Sequence, residues 1–298
     1  MAKLKNNKVT KDDLIEYLAS SSDFSFELSV LKMLRGYQIN CEHGGLYEDP
    51  VTGKAREFDI RATKTISKYR VRLAVECKNI RDYFPLLVSC IPRLEEESYH
   101  QVAFVGEPKS FEYLGIPKFQ QSRAKALSIV GEHSIYKTNQ PVGKSTAQVG
   151  RNQDGTISVN DAELYDKWSQ SLSSAVDLVT RAYWDGDEND EKDSYLSAVF
   201  PIVVVPNDRL WSVLYDDDGN RIQDPCLTDR CSCFVDKDYE MGTKIAGTRI
   251  WISHIEIMTL NGLRSFVESH LKDETGILEL FSNEGISEAF ERELENRT

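Results

Sequence analysis

Two runs, Glu57-Phe58-Asp59-Ile60 and Tyr69-Arg70-Val71-Arg72-Leu73-Ala74-Val75-Glu76-Cys77-Lys78, decide how this chain is read. In the second, Val71, Leu73 and Val75 alternate with Arg70, Arg72 and Ala74, the two-residue period of a strand. Glu57 to Thr63 reads as a neighbouring strand, with Thr63–Lys68 as a polar loop between the two. Glu76 and Lys78, two positions apart, project to one face. Asp59 stands 17 residues before Glu76, an interval that suits a hairpin. If the strands pair, Asp59 and Glu76 lie side by side where Lys78 emerges.

Two carboxylates brought together repel, and a divalent cation relieves the repulsion. Mg²⁺ takes oxygen ligands and keeps several waters, so Asp59, Glu76, the backbone carbonyl of Cys77 and water suffice to hold it. Such an ion polarises a phosphodiester and lowers the pKa of its own water. Lys78 would then orient or deprotonate the attacking water, or stabilise charge on the phosphorus centre. Glu27, on the inner side of the preceding helix, would complete the metal shell directly or through water. The Cys77 side chain points to the opposite, core-facing side, away from any nucleophilic role.

Working outward, residues 9–36 predict two short helices, with Thr10 and Asp13 as a capping pair, Ser22 or Asp23 capping the second helix, and Gly36 as its stop. Strands are expected at Tyr37–Tyr47, Gln101–Val105, Phe200–Val205, Leu210–Tyr215 and Thr248–Met258. Helices are expected at Phe119–Val130, Asp161–Trp184 and Leu260–Leu271. Residues 137–160, rich in Gly, Thr, Asn, Gln and Ser, read as a long loop, and Asp185–Asp193 as an acidic one.

The ordered set Glu27, Leu34-Arg35-Gly36-Tyr37, Glu57-Phe58-Asp59-Ile60 and Leu73-Ala74-Val75-Glu76-Cys77-Lys78 resembles the PD-(D/E)xK nuclease superfamily. It is most similar in pattern to Mrr-type restriction enzymes and archaeal Holliday-junction resolvases. The resemblance covers roughly residues 22–106 and departs from the family name at Phe58, which stands where the proline would be. It implies that Glu27, Asp59 and Glu76 are metal-binding acids and Lys78 the catalytic lysine, with Mg²⁺ as cofactor and Mn²⁺ as a substitute. The implied fold is α/β, a restriction-endonuclease-like core with a mixed central sheet flanked by helices, in residues 1–150. Residues 151–298 would form an acidic α+β region that extends the core sheet or makes an accessory domain.

The net charge of −12 hides a division. Residues 1–151 carry 23 basic and 18 acidic side chains, whereas residues 152–298 carry 13 and 30. A polyanion partner therefore belongs with the first part. Residues 50–81 alone hold nine basic groups against three acids, two of which are the expected ligands. Lys54, Arg56, Arg61, Lys64, Arg81 and Lys144 are the candidate DNA contacts. The acidic part offers a surface for a homo-oligomer or another protein partner.

Other signals are weaker. Gly143-Lys144-Ser145-Thr146 lacks the upstream glycine of a phosphate loop, since Thr138 occupies that position. Cys226, Cys231 and Cys233 do not match a zinc-knuckle spacing. No apolar run approaches the ~20 residues that span a bilayer, and the first 20 residues show no secretory pattern. The expectation is a cytoplasmic, Mg²⁺-dependent DNA endonuclease of restriction or anti-phage defence. A repair or recombination nuclease, and a catalytically silent nuclease fold serving in DNA binding or scaffolding, are the alternatives.

Overall fold

The computed structural model describes residues 7–20, 22–49, 52–105, 124–160, 162–183, 195–240 and 249–295. The chain opens with α1 (Lys11–Ser20) and α2 (Phe24–Gly36). Thr10 and Asp13 cap α1 reciprocally, the Asp13 N–H donating to Thr10 Oγ1 (3.2 Å) and the Thr10 N–H to Asp13 Oδ2 (2.7 Å). The start of α2 departs from a side-chain cap by Asp23, whose carboxylate instead accepts the Asn79 N–H at 2.8 Å. Ser22 Oγ accepts the Phe24 N–H at 3.3 Å. Gly36 is the last helical residue, and the left-handed conformation that reverses the chain falls on Gln38 (φ 57°).

An antiparallel meander follows: β1 (Asn40–Glu48), β2 (Ala55–Ile66) and β3 (Tyr69–Cys77). The alternation in Tyr69–Cys77 marks β3 at both ends. The expected loop at 63–68 is shorter than predicted, because β2 continues to Ile66, which pairs with Tyr69 across a turn at Ser67 (φ 55°) and Lys68. Beyond β3 come β4 (Leu86–Pro92), β5 (Tyr99–Val105), β6 (Ala124–Val130), β7 (Pro141–Arg151) and β8 (Ile157–Val159). Helix α3 (Ala162–Tyr183) then leads to β9 (Tyr195–Val205), β10 (Leu210–Tyr215), β11 (Arg221–Leu227), β12 (Arg230–Glu240) and β13 (Arg249–Thr259). The chain closes with α4 (Leu260–His270), α5 (Glu274–Leu278) and α6 (Asn283–Glu295).

The architecture is mixed α/β, a large mixed sheet with helices on both faces. Its main path runs β1-β2-β3-β9-β13-β12-β7-β4-β10-β11, so strands from before and after residue 150 share it. β9 lies parallel to β3, reached through α3. β9 is almost wholly apolar because neither face meets water. Its Leu196, Phe200, Ile202 and Val204 face α2, α4, α5 and α6 (Val30, Leu34, Phe266, Ile277, Phe290). Val203 and Val205 pack on the opposite face with Leu164 of α3. β3 divides in the same way, with Val71, Leu73 and Val75 in the first core and Ala74 turned to α3. Each aliphatic side chain buried in this way contributes about 1.5–3 kcal/mol.

Two sequence expectations are overturned here. Residues 124–130, expected within a helix over 119–130, form β6 and pair with β5 from Tyr99↔Val130 to Val105↔Ala124. Leu127 and Ile129 are both buried, a period of two that its partner strand exploits; residues 119–123 lie outside the described residues. Residues 141–151, expected as loop, form β7, antiparallel to β4. Its glycines mark close approach rather than a turn: a Cβ on Gly143 would stand 2.4 Å from Cys233 Sγ.

A polar cluster is buried between β5, β12 and β13. Glu256, fully buried, takes both arms of Arg230 (2.8 and 2.7 Å). Arg93 lies 5.4 Å over the Tyr136 ring, and Tyr136 stacks on His254 at 3.7 Å. His100 meets Ser134 Oγ and the Leu280 carbonyl, both at 2.9 Å, with its ring neutral. Burial holds His100 down at about 4 and His254, with Arg93 adding to the effect, at about 2. A depressed histidine is neutral in the folded chain while the unfolded chain takes up its proton near 6.5. Stability is therefore complete above that pH and declines as pH falls towards 4. His100 contributes about 3 kcal/mol across this interval. Melting of wild type and His100→Gln between pH 4 and 6.5 tests this: the variant should show the shallower dependence, and parallel curves would refute the assignment.

Candidate active site

The β2–β3 register sets the site. Ile60 pairs with Val75, which makes Asp59 and Glu76 the next opposed pair, on the face turned to α3. The Asp59 N–H points to Glu76 Oε1 at 3.4 Å, and the Cys77 N–H donates to Asp59 Oδ2 at 2.8 Å. Between the carboxylates stands Lys167 of α3, its Nζ 2.6 Å from Asp59 Oδ2 and 3.2 Å from Glu76 Oε2. The three side chains are 17, 15 and 1% exposed for Lys167, Asp59 and Glu76 respectively.

Helix α3 brings Lys167 there by a polar stripe beside its apolar one. Ser171 Oγ lies within hydrogen-bond distance of the carbonyls of Ala74 (3.0 Å) and Ile202 (3.3 Å). Arg61 donates to Ser174 Oγ (3.1 Å) and to Asp177 Oδ2 (2.6 Å). Positions 167, 171 and 174 follow helical spacing along β2 and β3.

The electrostatics follow from burial. Desolvation, reinforced by Asp59, pushes the Glu76 carboxyl up to about 8. Burial works against the Lys167 charge, but Glu76 and Asp59 outweigh it and hold the ammonium above the ordinary lysine value. Glu27 is raised by burial and then by Asp59, so it shares the field of the pair. Its carboxylate contacts His43 Nε2 at 3.3 Å. Cys77 is buried in the core, and burial raises its thiol well above the usual range, in keeping with an unreactive side chain.

Lys78, expected to emerge beside the acid pair, is ion-paired with Asp23. Its Nζ lies 3.5 Å from Asp23 Oδ2 at the start of α2, and the ammonium that joins Asp59 to Glu76 is that of Lys167. Asp23, His43 and Lys167 were all missed from sequence. The one legible trace was a lysine four positions before Ser171 on a helix otherwise read by its apolar face.

Among the expected DNA contacts, Arg61 is corrected most clearly. It is 2% exposed, lies over the Tyr47 and Phe58 rings, and fastens α3 to β2. Lys64 Nζ reaches the carbonyls of Tyr37 (3.3 Å) and Gln38 (3.4 Å), bracing the turn after α2. Arg56 pairs with the buried Asp49 at 2.6 Å. Lys144, on β7, pairs with the buried Glu97. Lys54 is exposed and Arg81 half-buried.

Among the described residues no group of three or more His, Cys, Asp or Glu side chains is arranged to hold a metal. That includes the cysteines of β12, where Cys231 and Cys233 are buried. The donor set that does fit a cation is smaller: two carboxylate oxygens from different strands already grip one ammonium. Mg²⁺ is commonly held by one or two carboxylates, with water and substrate phosphate completing its shell, so Asp59 and Glu76 suit it. No described helix is long and apolar enough to cross a membrane. The sequence matches no family model, and neither curated proteins nor solved structures yield a match to it.

Proposed function

We propose that the chain is a Mg²⁺-dependent nuclease of the PD-(D/E)xK type that hydrolyses DNA phosphodiester bonds. The observation that carries this reading is the convergence of Asp59 and Glu76, from neighbouring strands, on a single cation position. The order of elements also supports it in part: a helix with Glu27, an antiparallel meander ending in Glu76-Cys77-Lys78 and, only after the five strands β4–β8, helix α3 and the strand β9 parallel to β3.

In this reading Asp59 and Glu76 hold the ion, with Glu27 joining directly or through water. Bound there, Mg²⁺ would supply a polarised phosphodiester and a more acidic water. Lys78, at the strand end, orients that water or meets charge developing on the phosphate. Of the basic set, exposed Lys54 would be the first to meet a polyanion, with half-buried Arg81 near the strand end. A restriction or anti-phage role is the biological setting that the resemblance implies, with repair or recombination as its competitor. A catalytically silent binding fold is favoured by one observation, the Lys167 ammonium that already neutralises the acid pair.

The test incubates the full chain with supercoiled, linear and single-stranded DNA, with Mg²⁺ or with EDTA. Mg²⁺-dependent cleavage that disappears in Asp59→Ala is the expected result. Absence of cleavage on all three substrates, or equal cleavage by the variant, would overturn the reading.

A further inference from the structure

We infer that Lys167 is an internal counter-ion that occupies the cation position between Asp59 and Glu76, and that a divalent ion binds there by displacing it. The inference rests on the acid pair being a cation site, as in the function proposed above, but it concerns binding rather than cleavage.

Lys167 Nζ touches oxygens of both carboxylates, at 2.6 and 3.2 Å. An ammonium and a divalent ion, both cations, are incompatible so close to the same two oxygens, so occupancy by one opposes the other. Without either, Asp59 and the 1% exposed Glu76 would face each other with no cation between them. Lys167 solves that problem at the expense of metal affinity.

The ammonium is free to leave because the helix does not depend on it. Ser171 against the carbonyls of Ala74 and Ile202, and Arg61 against Ser174 and Asp177, hold α3 on the sheet independently. Lysine also carries its charge on a flexible four-carbon stem, so it withdraws by rotamer change without moving the backbone. Lys167 is 17% exposed, which gives the withdrawn ammonium access to solvent.

The experiment measures Mn²⁺ and Mg²⁺ binding to the full chain by calorimetry, and by the rise of Tm with metal concentration. Wild type, Lys167→Met, Lys167→Gln and Asp59→Asn are compared. Removing the competing charge should tighten Mn²⁺ binding about tenfold or more, with Lys167→Gln serving if Lys167→Met does not fold. Asp59→Asn should abolish binding. Unchanged or weaker metal binding in both lysine variants would overturn the inference, as would a gain that survives Asp59→Asn in the same chain. DNA cleavage is read separately. A chain that shows the metal gain but cuts no DNA refutes the nuclease reading alone, whereas Mg²⁺-dependent cutting without the gain refutes only the role given to Lys167.

Discussion

In the proposed nuclease, Asp59→Asn and Glu76→Gln should each lower the Mg²⁺-dependent cleavage rate about 10³-fold or more, in proteins that still show a cooperative melting transition. Both substitutions keep side-chain shape and replace one carboxyl oxygen of the pair that meets Lys167 with an amide nitrogen that cannot ligate a cation. Asp59 is the more demanding position, because its Oδ2 also accepts the Cys77 N–H and so fixes the end of β3. Glu27→Gln should cost less, about 10–100-fold, the range for a group that supports ligands from outside. Glu27 contacts His43 and reaches the pair through its field rather than through a shared cation. Single-turnover cleavage, with circular dichroism melting as the folding control, gives the ranking. Equal rates in all three variants and wild type would remove the acid pair from the mechanism.

The second large effect concerns stability. Glu256→Ala should destabilise the chain by about 3–5 kcal/mol, the usual result of breaking a buried ion pair from one side. In a chain of this size that lowers Tm by on the order of 10 °C. Glu256 is fully buried, and its two oxygens take the Nε and Nη2 of Arg230. Its charge is also felt by Tyr136 and Arg93, which share the cluster. Without it, the buried Arg93 and the one-third exposed Arg230 lose the carboxylate that both of them face. Replacing both partners, Arg230→Met with Glu256→Met, should recover much of the loss, since apolar packing of similar volume tolerates such sites. A Glu256→Ala protein melting within a degree or two of wild type would show that the cluster contributes little.

These two predictions differ in how far the sequence anticipates them. The acid pair was legible because a strand's period of two is written in local alternation: Val71, Leu73 and Val75 set the phase, and Glu76 follows from it. The capping of α1 by Thr10 and Asp13 was legible for a similar reason, since the partners lie three residues apart. Strands β4, β6, β7, β8, β11 and β12 were not legible. β7 reads as loop because its small and polar residues fit between β4 and β12, where Gly143 lets Cys233 approach. The Arg230–Glu256 pair joins strands 26 residues apart, and neither residue carries a local mark of the other.

Sequence by itself determined the antiparallel meander, the placement of Asp59 beside Glu76 and the amphipathic helix that became α3. Each of these rests on contacts between near neighbours, whose period is imposed by backbone geometry. Only the tertiary structure decided which cation meets the acids. Lys167 lies 91 residues from Glu76 and 108 from Asp59, and reaches them because Ser171, Ser174 and Asp177 fasten its helix across β2 and β3. The same docking turns Arg61, on the sequence a surface charge, into a buried link between sheet and helix. Burial and long-range pairing depend on the whole packed sheet, and for that reason charge counted along the chain did not reveal them.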